Sequence, residues 1–152
     1  MPQLQTLKFE TLIEAPVEQV YQTMIDPADY RDWTTAFAEG SYYEGSWETG
    51  ASIRFLASPG DGMLSEIAEN RPNAFISIRH VGMLNKGVED RSSDAVKAWA
   101  GAYENYRFEA VPQGTRLEVE MQITPDWAEQ MQKMWPQALL RLKTICEERA
   151  KR

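Results

Sequence analysis

Chemistry in this chain would centre on His80, the one histidine among 152 residues, and on a carboxylate that strand alternation sets beside it. Side chains two apart on a strand share a face. If Ile76 and Ile78 point inward, so does His80, and if Tyr106 and Phe108 point inward, so does Glu104. An antiparallel register that faces Ile78 with Tyr106 would then bring His80 to Glu104. An imidazole, with an unperturbed pKa of about 6.5, is the natural group to move a proton near neutrality, and a neighbouring carboxylate would orient it. Such a pair inside an apolar wall serves more often as a satisfied hydrogen bond or a ligand anchor than as a catalytic dyad, because a buried charge must find a partner or water. His80 and Glu104 are therefore weak catalytic candidates, and no residue is assigned a catalytic role.

No other motif adds to a catalytic reading. The chain has no nucleophile elbow, no glycine-rich phosphate loop between a strand and a helix, and no second histidine to complete a metal site. Gly60, Asp61 and Gly62 bring one carboxylate, too few for calcium, and read better as a hairpin turn. No metal and no cofactor are expected.

The elements that must position these residues follow from periodicity. Residues 4–13 place Leu7, Phe9 and Ile13 on one parity, as in a strand with one buried face. Pro16 can open a helix without losing a needed amide hydrogen. Val20, Tyr21, Met24 and Ile25 then fall at helical spacing until Asp26-Pro27, where the residue before proline leaves the α region. Asp26 can cap a second short helix through Pro27, Tyr30 and Trp33. Residues 41–47, 51–57, 63–69 and 74–81 read as strands of a meander, separated by Glu48-Thr49-Gly50, Pro59-Gly60-Asp61-Gly62 and Asn70-Arg71-Pro72-Asn73. Residues 83–100 show no sustained strand pattern and read as a long loop with a helical turn around 94–99, and a loop of that length is more often functional than accidental.

Two further strands, 102–111 and 115–124, flank Pro112-Gln113-Gly114; in the second, Leu117, Val119, Met121 and Ile123 alternate strictly with Arg116, Glu118, Glu120 and Gln122. The segment 127–149 carries one long helical stripe: Met131, Met134, Trp135, Ala138, Leu139, Leu142, Ile145 and Cys146. Pro136 within it is expected to kink or split the helix.

Length and composition bound the rest. With 43% hydrophobic residues the chain is expected to be one domain, 1–152, with a real core. A net charge of −7 argues against nucleic acid or an anionic membrane surface as partner, since the field repels phosphate before contact. Cys146 is alone, so no intrachain disulfide forms, and it is expected to be a buried small hydrophobe. The N-terminus does not resemble a signal peptide, and no window approaches the roughly 18 apolar residues of a membrane span. A cytoplasmic protein, monomeric or weakly homodimeric through an exposed edge strand, is the expectation.

Ala15-Pro16 with Val20-Tyr21, the Asp26-Pro27 turn, Trp33, Trp47-Glu48 between Gly45 and Gly50, Glu104-Asn105-Tyr106 and Gly114-Thr115-Arg116-Leu117 together resemble the START-like (SRPBCC) superfamily, in its branch related to the activator of the heat-shock-protein-90 ATPase. Trp135-Pro136 followed by Leu139 and Leu142 is similar to the start of that family's closing helix. The resemblance implies an α+β helix-grip fold: a curved antiparallel sheet wrapped around a long C-terminal helix, with two short helices after the first strand. It also implies a cavity between sheet and helix that commonly holds an apolar ligand, as in carriers, receptors and aromatic cyclases. On that arrangement Trp33, Trp47, Trp99 and Trp135 surround one cavity, and Met63, Met121, Met131 and Met134 supply adaptable walls. The expected ligand-binding set is Trp33, Trp47, Phe55, Met63, Ile78, His80, Trp99, Glu104, Tyr106, Met121, Met131 and Trp135. The leading expectation is binding of an apolar or amphipathic small molecule, a lipid among the candidates, with the 83–100 loop as a lid. The alternatives are a co-chaperone-like protein-interaction module, and a cyclase or dehydratase using His80 and Glu104 as acid and base. Fold alone does not choose among these.

Overall fold

The computed structural model describes residues 4–57 and 60–151; of the turn formers named above, Pro59 lies outside the described residues. The chain opens with strand β1 (Gln5–Ile13) and turns into helices α1 (Val17–Ile25) and α2 (Pro27–Trp33), followed by one 3-10 turn, Thr34–Ala36. The break between the helices is made by Asp26. Its backbone is extended, and its Oδ2 accepts from the Ala28 and Asp29 amides at 3.1 Å, so it caps α2 with Pro27 at the first helical position.

Strands β2 (Tyr42–Gly45), β3 (Ser52–Ala57), β4 (Asp61–Arg71) and β5 (Phe75–Asn85) form the meander; β7 (Tyr103–Val111) and β8 (Gly114–Ile123) complete it. All pairings are antiparallel in the order β1-β8-β7-β5-β4-β3-β2, giving a curved sheet that does not close. The concave face holds helix α4 (Pro125–Ala150) and, beside it, α1 and α2. In β8 the alternation holds as expected: Thr115, Leu117, Val119 and Met121 are buried, while the residues between them are half-exposed.

Two expectations are corrected. The stretch 83–100 is not a long loop. β5 continues to Asn85 and folds back as β6 (Val88–Asp90), and α3 (Asp94–Lys97) follows, capped by the Ser93 hydroxyl on the Val96 amide. The turn uses Lys86 and Gly87, both at positive φ (51° and 84°), the backbone of a tight two-residue hairpin. A three-residue strand of Val, Glu and Asp leaves no alternation to read. The second correction concerns Pro136, which does not split the closing helix: α4 runs through it for 26 residues. Pro136 is on the exposed side of the helix, so the carbonyl it leaves without an amide partner faces water. No helix among the described residues is long and apolar enough to cross a membrane.

Candidate functional site

Between the concave face, α2 and the N-terminal half of α4 the interior stays open as a recess of about 430 Å³. Its walls come from every layer. Met24, Tyr30, Trp33 and Phe37 enter from the short helices and Trp127, Met131 and Trp135 from α4; Phe55, Met63, Ile78, Met83, Tyr106 and Met121 come from the sheet, and Trp99 from the turn after α3. All five tryptophans and five of the seven methionines of the chain line it.

The rings brace one another rather than fill the space. Tyr30 sits at the centre of one group, edge-on to Tyr43 (5.1 Å between centroids) and Trp33 (5.6 Å), with Phe55 at 6.0 Å and Trp47 at 6.5 Å. Trp135 centres a second group with Phe37 (4.9 Å), Phe9 (5.9 Å), Tyr106 (6.0 Å) and Trp33 (6.3 Å). Two backbone anchors fix the rings: the Trp33 indole donates to the Met24 carbonyl at 3.1 Å, and the Tyr43 hydroxyl to the Ile25 carbonyl at 2.6 Å. Gly62 lets β3 and β4 close up beside them, since a Cβ there would meet the Phe55 carbonyl oxygen at 1.9 Å.

One polar seam crosses this apolar wall. Ser65 Oγ and His80 Nδ1 are 2.7 Å apart, His80 Nε2 and Glu104 Oε1 are 3.3 Å apart, and the Tyr106 hydroxyl donates to Glu104 Oε2. A carboxylate only accepts, so Nε2 carries the proton it donates to Glu104, and in the neutral ring Nδ1 accepts from the Ser65 hydroxyl. The order serine, histidine, glutamate does not make a hydrolase triad. Ser65 is fully buried behind the histidine, whereas the glutamate end faces the recess. What the seam can do is hold a proton at His80 Nε2 and at the Tyr106 hydroxyl, and present a carboxylate to whatever enters.

Burial is the main cause that pushes the Tyr30 and Tyr106 phenols well above the ordinary tyrosine range, and the negative charge of Glu104 adds to it. Both stay neutral, with hydroxyl hydrogens to donate. Among the described residues the Trp47 indole N–H is buried with no hydrogen-bond partner. The Trp135 indole N–H is likewise buried with no partner among the described residues. No group of three His, Cys, Asp or Glu side chains among the described residues is placed to hold a metal.

The structure brings all twelve residues of the expected ligand-binding set, Trp33, Trp47, Phe55, Met63, Ile78, His80, Trp99, Glu104, Tyr106, Met121, Met131 and Trp135, to this one recess. Met134, expected beside them, is not part of its wall. The register differs from expectation by two residues: Ile76 faces Tyr106 and Ile78 faces Glu104. His80 therefore reaches Glu104 diagonally, which accounts for the 3.3 Å separation. Sequence reasoning missed Ser65, Met83 and Trp127, and it did not place Tyr30 and Phe37 in the wall. Tyr30, Trp33 and Phe37 have helical spacing, a signal that could have been used. Ser65 could not be found, because a register shift at Leu64/Ser65 is what sets it opposite His80.

A family model described as "Activator of Hsp90 ATPase homolog 1-like protein" matches residues 14–147. No curated protein matches the chain. Among solved structures, a protein from Mesorhizobium loti is similar with a TM-score of 0.72 at 18% identity, covering 95% of this chain and 98% of that one. The Aha1 dimer from Colwellia psychrerythraea has a TM-score of 0.72 at 19% identity, covering 94% and 96%. CalU16 from Micromonospora echinospora has a TM-score of 0.60 at 18% identity, covering 93% and 74%. At these identities the structural likeness is one of fold.

Proposed function

The chain belongs to the activator of Hsp90 ATPase homolog 1-like family, a fold consistent with ligand binding, and we propose that this member binds one apolar or amphipathic small molecule between its sheet and α4. The observation that carries the reading is the recess itself. Protein interiors are packed like organic crystals, so an open volume of about 430 Å³ walled by aromatic and methionine side chains is a space kept for an occupant. Methionine walls adapt to irregular shapes, and the two ring clusters, joined through Trp33, prop the space open. Trp127, 54% exposed, and Trp99 bring α4 and the α3 turn to the same wall, so these two elements are the proposed entrance.

The test is native mass spectrometry of the protein purified from its own host, followed by denaturing release of whatever it carries. A retained small molecule at one per chain is the expected result. An empty protein that also shows no change in tryptophan fluorescence with lipid, polyketide-like and aromatic compounds would remove the reading, because all five tryptophans face the proposed site.

A further inference from the structure

The recess is chemically one-sided. Apart from its tyrosines, the ionisable groups in its wall are Asp61, His80 and Glu104, with no lysine or arginine among the described lining residues. Two arginines of the strands that form it pair outside it, Arg79 with Glu66 and Arg54 with Glu89, all four about half-exposed. A carboxylate or phosphate brought into this space would sit beside Glu104 with no cation to neutralise it, which is costly in an apolar enclosure.

A positive charge meets the opposite situation. Glu104 is 18% exposed, and that surface opens into the recess. A carboxylate has about four acceptor positions; here His80 and Tyr106 occupy one each. Tyr30 also lines the space, close enough to Glu104 to feel its charge. The rings of Phe55, Tyr30 and Trp47 continue from His80 in an unbroken run of neighbours at 5.7–6.5 Å, and faces of this kind attract cations. Building on the binding function proposed above, we infer that the ligand is an apolar molecule bearing an amine, its ammonium seated at the Glu104 carboxylate and its apolar body against the surrounding rings.

The experiment is isothermal titration of the full chain with decylamine, 1-decanol and decanoate, at about pH 8, where an alkylamine is charged. The expected order is decylamine tighter than decanol by about tenfold or more, with decanoate weakest, at one site per chain. Glu104→Gln keeps the shape and removes the charge. It should bring decylamine down to the affinity that decanol shows for the same variant. The wild-type order stands as a test on its own if that variant does not fold. Decanol or decanoate binding as tightly as decylamine overturns the amine inference and leaves small-molecule binding standing. Decylamine binding that ignores Glu104→Gln, or at many sites per chain, overturns it too. Silence from all three probes also overturns it, and the host-purified protein then decides separately whether anything is bound.

Discussion

The two halves of α4 lie against one sheet and meet different interiors. From Ala138 onward the helix presents Ala138, Leu139, Leu142, Ile145 and Cys146, all buried, to a core shared with Ile13, Val20, Leu117 and Val119. Before Ala138 it presents Trp127, Met131 and Trp135 to the recess. Small and branched aliphatic side chains interdigitate until no space is left. Large rings in edge-to-face contact prop each other apart, and the space between them survives. One helix thus divides into a closed end that supplies stability and an open end that supplies a site. The polar seam sits only at the open end.

The strongest way to break this contrast is to remove equal bulk from both ends. Leu142→Ala, at a position with no exposed surface, should cost about 2–5 kcal/mol by transfer and cavity terms together. Met131→Ala, half-buried and already facing open space, has fewer contacts to lose and should cost under about 1 kcal/mol. Urea denaturation measures both, and in melting temperature each kcal/mol corresponds to about 2–4 °C for a chain of this size. Equal losses at the two sites would mean that the open end is packed in solution.

Alkaline titration separates the ends by a different route. Burial raises the Cys146 thiol from 9.0 to about 11. An unfolded chain loses that proton first, so between pH 9 and about 11 the folded state binds more protons and stability falls by up to about 1.4 kcal/mol per pH unit. The buried phenols of Tyr30 and Tyr106 act in the same direction, but only from the ordinary tyrosine range near 10 upward. The closed end therefore governs the first unit of the alkaline limb. Cys146→Ala should flatten stability between pH 9 and 10 and leave the steeper fall above it. A variant that follows the wild-type slope throughout would place the titration elsewhere.

How much of this could be read from the sequence also differs between the ends. The closed end was legible because a strict alternation in β8 and a helical stripe in α4 are periodic signals, and periodic burial is what they encode. The fold order and the twelve lining residues followed from periodicity together with the family resemblance. What escaped was set by backbone irregularity. The shift at Leu64/Ser65 brings Ser65 to His80, the positive-φ pair Lys86-Gly87 turns a presumed loop into a hairpin, and a register two residues away from expectation makes the His80–Glu104 contact diagonal. Side-chain patterns report which face a residue takes. They do not report how far one strand has slid past the next.

The smallest expected effect tests how the open end is held in place. Two bidentate arginines tie α2, which carries Tyr30 and Trp33, to α4: Arg149 grips Asp29 at 2.5 and 2.6 Å, and Arg141 grips Asp32 at 2.7 and 2.8 Å. The two pairs look alike but differ in setting. The Asp29 side chain is 12% exposed, whereas that of Asp32 is 41% exposed. Arg149→Met should cost about 1–2 kcal/mol, since it strands a mostly buried carboxylate. Arg141→Met should cost under about 1 kcal/mol, because water replaces the lost partner, and that cost should shrink further in high salt. If α2 is held to α4 mainly through Asp29, only Arg149→Met should also disturb the tryptophan fluorescence of the recess. A matching change in Arg141→Met would show that the anchor lies at Asp32 instead.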